Sequence, residues 1–142
     1  MAKHMRQMIR EAVVARLLGA TAAQDRVYAS RLGPWATLPG IGVYTLGETI
    51  DQGRTLEGGG RRPAVLGRTL RLAISGFVAV TDYLDEQLDA LALEIEDLMV
   101  EPLGLDAILD VRLVETTIEM YEESDRQVGG VRLAFEVTYF TQ

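Results

Sequence analysis

The sequence predicts one α+β domain with a mostly antiparallel or mixed sheet, two main helices packed on one of its faces, and a long mobile loop. The length of 142 residues suits a single hydrophobic core. Helical periodicity occurs in two separated segments, and the strand-like segments between and after them lack the regular alternation of a parallel βαβ fold. The 48% hydrophobic content beside 25% charged residues is typical of a folded globular chain.

The first helix is predicted over residues 5–17, where apolar side chains recur at helical spacing. Gly19 follows as a plausible stop. A short strand at residues 27–30 comes next, and a second strand at residues 41–46 is rich in strand formers. The apolar positions of the first helix are Met5, Met8, Ile9, Ala12 and Val13.

Residues 47–67 are predicted to form the long mobile loop, because repeated glycines and Pro63 resist both a helix and a strand ladder. A loop of this length is uncommon in a compact domain unless it has a purpose, so it indicates function. The next strand, residues 69–80, alternates until Gly76, where a bulge is expected.

The second helix has the most regular pattern in the sequence. Thr81 or Asp82 can cap its start, and Pro102 marks its end. One more helical turn is expected within residues 103–109, followed by strands at residues 111–121 and 131–140 that the link 122–130 joins as a hairpin. In the second helix, acidic side chains point away from a single apolar stripe. The stripe consists of Leu84, Leu88, Leu91, Ile95 and Leu98.

Composition argues against several classes of function. The chain has no cysteine, which removes disulfides, thiol nucleophiles and Cys-ligated zinc sites. No apolar run approaches the roughly 20 residues that cross a bilayer, and the start lacks a signal-peptide pattern, so a cytoplasmic protein is expected. A net charge of −7 disfavours a protein whose main task is to grip nucleic acid.

No catalytic, metal or cofactor site is predicted. His4 is the only histidine, and residues 1–4 could derive from a cloning vector because Met5 is a second plausible initiator. The serines have no evident base beside them, so a nucleophilic triad is not expected. Glu115 and Glu119 share a strand face, but a solvated face is the simpler interpretation of that pair.

Gly58, Gly59, Gly60, Arg61 and Arg62 form the candidate contact segment of the loop. Glycine N–H groups and arginine side chains both hold anions, which suggests a phosphate ligand. The segment lacks the Gly-Lys-Ser/Thr ending of a P-loop, and no helix start follows it. It is therefore predicted to be a flexible interaction loop rather than a nucleotide cradle.

In the order of its elements the chain resembles the tail terminator family of long-tailed bacteriophages, the minor tail protein U type. The resemblance covers nearly the whole chain, from the amphipathic first helix to the closing hairpin with residues 135–139 (Phe-Glu-Val-Thr-Tyr). Between them lie residues 38–48 (Leu-Pro-Gly-Ile-Gly-Val-Tyr-Thr-Leu-Gly-Glu), the loop, the strand 69–80 and the acidic helix. The pattern is specific only as a whole.

The resemblance implies a non-enzymatic protein of the virion tail, assembled in the host bacterial cytoplasm. A hexameric ring of such subunits caps the tail tube protein, ends its polymerisation and offers a surface to a head or neck connector protein. DNA passes through the ring without specific binding, and neither a cofactor nor a membrane is involved. The alternatives are another neck or tail-completion protein of the virion and a small anion-binding regulatory domain that uses residues 58–62.

The distribution of charge suggests how neighbours in a ring would meet. Residues 1–81 carry a net charge of +6, and residues 82–142 carry −13. A ring needs one patch to meet a different patch on the next copy, which oppositely charged surfaces allow. Arg6, Arg10 and Arg61 are therefore predicted to face acids such as Asp85 and Asp89 of a neighbour. Alternatively, the two halves interleave and cancel within one subunit.

Overall fold

The protein folds as one sheet with two helices. The computed structural model describes residues 2–30, 33, 35, 37–56, 65–80, 82–123 and 126–141, without the side chains of residues 52–56, 121 and 123. Its elements are α1 (Met5–Leu17), β1 (Val27–Ala29), β2 (Gly40–Leu56), β3 (Val65–Val80), α2 (Leu84–Met99), β4 (Ile108–Glu123) and β5 (Arg126–Thr141). The strand order is β1-β2-β3-β5-β4, with β1 parallel to β2 and the other neighbours antiparallel. The predicted α+β class and the bounds of α1 are confirmed.

Both helices pack on one face of the sheet. α1 contacts β1 and β2, while α2 contacts β3 and β5, and the two helices touch each other. Alternate strand residues point into this layer, as Leu70, Leu72 and Ile74 of β3 do, and each is fully buried. Burying such a side chain stabilises the fold by roughly 1.5–3 kcal/mol. The opposite face carries no helix among the described residues, although Trp35 covers one corner by packing against Tyr28 and Phe77.

Two strand glycines let α2 approach the sheet closely. A Cβ at Gly76 would lie 2.6 Å from Cδ2 of Leu91, and one at Gly129 would lie 2.7 Å from Cδ1 of Leu88. The bulge predicted at Gly76 is wrong, because its pairing with Ile41 and Val131 continues on both sides without a register shift. The glycine is needed for helix packing instead.

The loop predicted over residues 47–67 is largely wrong. β2 continues to Leu56 and β3 begins at Val65, so residues 47–56 and 65–67 belong to strands. Local composition disfavours strands there, but β3 supplies hydrogen-bonding partners from Gly47, opposite Arg71, to Asp51, opposite Gly67. Tertiary pairing overrides weak local propensity in this segment. The contact segment at residues 58–62 lies outside the described residues.

The boundaries of the later elements also differ from the prediction. Tyr83, rather than Asp82, holds the N-cap position of α2, with left-handed backbone (φ 61°) and no hydrogen bond from its side chain to the helix. Thr81, the other predicted cap, lies outside the described residues. Residues 103–107 form one bend and a turn instead of a helical turn, and β4 begins at Ile108. The predicted link 122–130 is mostly strand, since β5 pairs with β3 as far as Gln127 and Val80.

A one-residue bulge in β2 reverses the direction of the side chains that follow it. Thr45 pairs with Leu72, but the next pair joins Gly47 to Arg71, so Leu46 is an extra residue. Before the bulge, odd-numbered residues such as Val43 face the helices. After it, Glu48 faces the helices, in register with the buried Leu70.

Candidate assembly surfaces

Glu48 holds α1 onto the sheet. Its Oε2 accepts hydrogen bonds from Nη1 of Arg6 at 2.7 Å and from Nη1 of Arg68 at 2.8 Å, and Tyr139 donates its hydroxyl proton to Oε1. Arg68 also donates from Nε to Oγ1 of Thr141 at 2.6 Å. The Glu48 side chain is only 10% exposed. Paired in this way, the partly buried carboxylate connects α1, β2, β3 and β5.

The protonation of this cluster follows from its contacts. Burial alone would raise the pKa of Glu48, but hydrogen bonds from Tyr139, Arg68 and Arg6 outweigh it and lower the pKa of Glu48 below its ordinary value. Burial, and then the hydrogen bond to Glu48, raises the pKa of Tyr139 above its ordinary value. The carboxylate therefore stays charged and the phenol stays neutral. With its oxygens occupied by protein donors, Glu48 is an anchor rather than a free acid or base.

The start of α1 is also tied into the fold. Nδ1 of His4 accepts from the backbone N–H of Arg6 at 3.0 Å and caps the helix. Desolvation, followed by the charges of Arg6 and Arg68, lowers the pKa of His4. The neutral ring needed for this cap is therefore favoured.

Arg16 joins the two helices at the other end of α1. Its guanidinium donates to the backbone carbonyls of Leu98 at 2.8 Å, Glu101 at 3.0 Å and Pro102 at 2.6 Å. These carbonyls lie at the C-terminal end of α2, which has no basic residue in its own last turn. A cation at this position satisfies unpaired carbonyls and complements the helix dipole.

The helix-free face carries a polar cluster around Arg132. Tyr44 Oη and Ser75 Oγ are 3.0 Å apart, and with Thr117 and Glu119 they line a shallow cavity of about 300 Å³. Glu115 shares this face with Glu119, as predicted, and lies near the guanidinium groups of Arg71 and Arg132, with N–O distances of 3.4 and 3.7 Å. The cluster has hydroxyls and carboxylates, but the described residues supply no histidine or lysine base to activate them.

The outer face of α2 is an acidic surface. Within the described part of the chain, none of its carboxylates forms an ion pair. Glu94 is engaged in another way, since its Oε2 accepts from the backbone N–H of Ala22 at 3.0 Å. Asp85 and Asp89, the predicted acidic contacts, are exposed on this surface. The acidic stripe is therefore available to a partner.

β4 forms one edge of the sheet and exposes apolar side chains. Leu113, Ile118 and Met120 point to the same side as the helices, but α2 covers β3 and β5 and leaves them 37%, 47% and 52% exposed. Bulges after Ile108 and after Leu113 interrupt the strand. An exposed apolar row beside an acidic helix is typical of a surface that another protein covers.

The structure separates the predicted contact residues. Arg6 forms an ion pair with Glu48 inside the subunit, a contact that the sequence did not reveal. Arg10 forms no ion pair with any described residue. The alternative in which the charged halves cancel within one subunit holds only locally, as in the pair of Arg71 with Glu115. The N-terminal cations and the acids of α2 do not meet within the described parts of the subunit. Gly58, Gly59, Gly60, Arg61 and Arg62 lie outside those parts.

The described residues contain no group of three or more histidine, aspartate or glutamate side chains placed to hold a metal ion. Neither described helix is long and apolar enough to span a membrane.

The fold is shared with a chain of a solved particle. That structure is the "virion of native gene transfer agent (GTA) particle", and the similarity covers 94% of this chain and 95% of that chain with a TM-score of 0.60. The sequence identity is 16%, so the similarity establishes a common fold. No protein-family model matches the sequence, and a search of curated proteins finds no significant match.

Proposed function

We propose that the chain is a structural subunit of a phage-like virion, and that within it the chain serves as a ring-forming tail terminator. The main support is the fold, which matches a chain of the gene transfer agent virion along nearly its whole length. The order of elements that resembles the tail terminator family is the second support.

The described surfaces suit assembly better than catalysis. The carboxylate of Glu48 accepts hydrogen bonds from three protein side chains, and the hydroxyls near Arg132 have no described histidine or lysine beside them. The large unpaired features are instead an acidic helix face and an apolar sheet edge. A non-enzymatic role accounts for both.

The proposed ring caps the tail tube, ends its growth and presents a surface to a head or neck connector protein. DNA would pass through its centre. An acidic lumen would repel phosphate and favour sliding over adhesion, and the unpaired acids of α2 supply a surface of that kind.

The first prediction is a closed ring, most simply of six copies. Six times 15.6 kDa gives about 94 kDa, which multi-angle light scattering separates from a monomer. Negative-stain images should show particles with a central hole, either alone or after addition of tail-tube protein. A chain that stays at monomer mass at high concentration, with and without tube protein, would sink the proposal.

A further inference from the structure

We infer that copies of this chain join head to tail, the α2–β4 end of one copy docking on the α1–β2 end of the next. This inference rests on the ring-forming role proposed above and names the two surfaces that would build the ring.

The two surfaces lie at opposite ends of the sheet. The strand order places β4 at one edge and the β1–β2 pair at the other. β1 covers β2 only at residues 41–43, so the rest of β2 is also a sheet edge within the described residues. α1 lies over the β1–β2 end, and α2 lies over β3 and β5, toward β4. One copy can therefore use both ends at once, as a head-to-tail chain requires.

The acidic end combines a cleft, an aromatic ring and carboxylates. Tyr83, Asp85, Glu86, Met120 and Glu122 line a cavity of about 550 Å³ between the start of α2 and β4. Tyr83 is 73% exposed and Met120 is 52% exposed, so the cleft offers an apolar floor beside three carboxylates. An arginine suits such a lining, since its planar guanidinium pairs with carboxylates and stacks on aromatic rings.

The basic end offers an arginine that forms no ion pair with a described residue, and the elements at this end also expose apolar side chains. Arg10 lies one helical turn after Arg6, on the flank of α1 opposite to Arg16. Arg16 reaches α2 and Arg6 reaches Glu48 of β2, so Arg10 lies on the side away from α2. Met8 of α1 and Ile50 of β2 are 36% and 41% exposed at this end.

The occupant of the acidic cleft is therefore a second copy of the chain. The acidic end does not complement itself, because like charges would face each other across a two-fold axis, whereas the basic end of the next copy complements it in charge and in apolar character. The two bulges of β4 and its exposed Glu115, Glu119 and Glu122 oppose simple edge-to-edge strand pairing. Side chains, led by Arg10, make the contact.

Charge reversal tests this interface in the full-length chain. Arg10→Glu should raise the apparent dissociation constant for self-association by about tenfold or more, because attraction becomes repulsion, and Glu86→Arg should do the same. The double variant should recover most of the loss. Asp97→Arg is the matched control, since it makes the same change on an exposed residue nearer the other end of α2 and should leave assembly near the wild-type level. Circular dichroism checks that each variant folds.

Crosslinking gives a second test because the chain contains no cysteine. With a short bis-maleimide, Arg10→Cys and Glu86→Cys in one chain should give a ladder of covalent oligomers, and a mixture of the two single variants should give dimers only. Pairing Arg10→Cys with Asp97→Cys should give neither. If the wild type forms rings but these reversals and crosslinks have no effect, the docking surfaces are wrong while the ring stands. If the wild type remains a monomer under every condition, both proposals are wrong.

Discussion

At the scale of single residues, Glu48 shows how one side chain can determine where a helix sits. Its partners Arg6, Arg68 and Tyr139 are 42, 20 and 91 residues away in sequence. An unpartnered carboxylate at this depth would be costly, and the four groups offset that cost only together. Such a cluster stabilises one arrangement of α1 over the sheet.

Replacing Glu48 with Gln should lower the free energy of unfolding by about 2 kcal/mol at neutral pH, because two arginines lose their charged partner. Urea denaturation measures the change. Glu11→Gln is the control, since Glu11 pairs with Lys3 on the exposed surface and its loss should change the stability far less than the loss of Glu48.

The pH dependence of this difference has a definite sign. The pKa of Glu48 is lowered in the folded state, so the carboxylate stabilises the fold above its unfolded pKa of about 4.3. That stabilisation is lost as the pH falls through the lower, folded value. The gap between wild type and Glu48→Gln should shrink in this acidic window. A gap that stays constant down to acid unfolding would contradict the assigned role.

The sequence could not reveal this cluster, although it contains all the residues. Glu48 stood at the start of the predicted loop and Arg6 among the predicted interface residues. Their meeting depends on the bulge at Leu46, which has no local sequence signal of its own. Long-range pairing of β2 with β3 decides it.

At the scale of elements, the helices and the final strand were predictable because their periodicity is regular. Residues 47–67 were not predictable, because their glycines and arginines suggest a loop. Pairing between β2 and β3 makes most of them strand. The sequence marked Gly76 as unusual, but the reason predicted for it, a bulge, was wrong. Its role depends on Leu91 of α2, which local pattern cannot supply.

Gly76→Ala should destabilise the protein by about 1–3 kcal/mol, because the added Cβ would overlap Leu91 and push α2 from the sheet. Gly47→Ala is the matched control in a neighbouring strand. A Cβ there meets nothing within 4 Å, so its effect should lie within about 0.5 kcal/mol of zero. Thermal unfolding of the two variants compares them directly, and equal losses would refute the packing explanation.

At the scale of the whole molecule, the uneven distribution of charge along the sequence becomes a difference in charge between the two ends of the sheet. The +6 and −13 parts of the chain do not simply cancel, since α1 and the acids of α2 and β4 lie toward opposite ends of the sheet. The sequence predicted the imbalance. It could not predict which arginine of α1 would lack an ion pair. Arg6 is paired with Glu48, and Arg10 is not.

Association should slow as salt is raised, because exposed charges are screened beyond a Debye length of about 8 Å at physiological ionic strength. Stopped-flow light scattering across a series of sodium chloride concentrations measures the rate. Arg10→Glu should show a flatter or reversed dependence, while Asp97→Arg should keep the wild-type slope. A wild-type rate that ignores salt would argue against electrostatic guidance and leave the ring itself untouched.

After the bulge at Leu46, the side chains of β2 alternate between the two faces one residue out of step with those before it. If β2 paired with β3 without that bulge, Leu46 would lie opposite Arg71, and the side chains of residues 47–51 would each turn to the other face of the sheet. Glu48 would turn to the helix-free face and leave Arg68 and Tyr139 without their acceptor. Because the bulge absorbs the extra residue, a chain that lacked Leu46 would still place Glu48 opposite Leu70, and the anchor of α1 would survive the change in length.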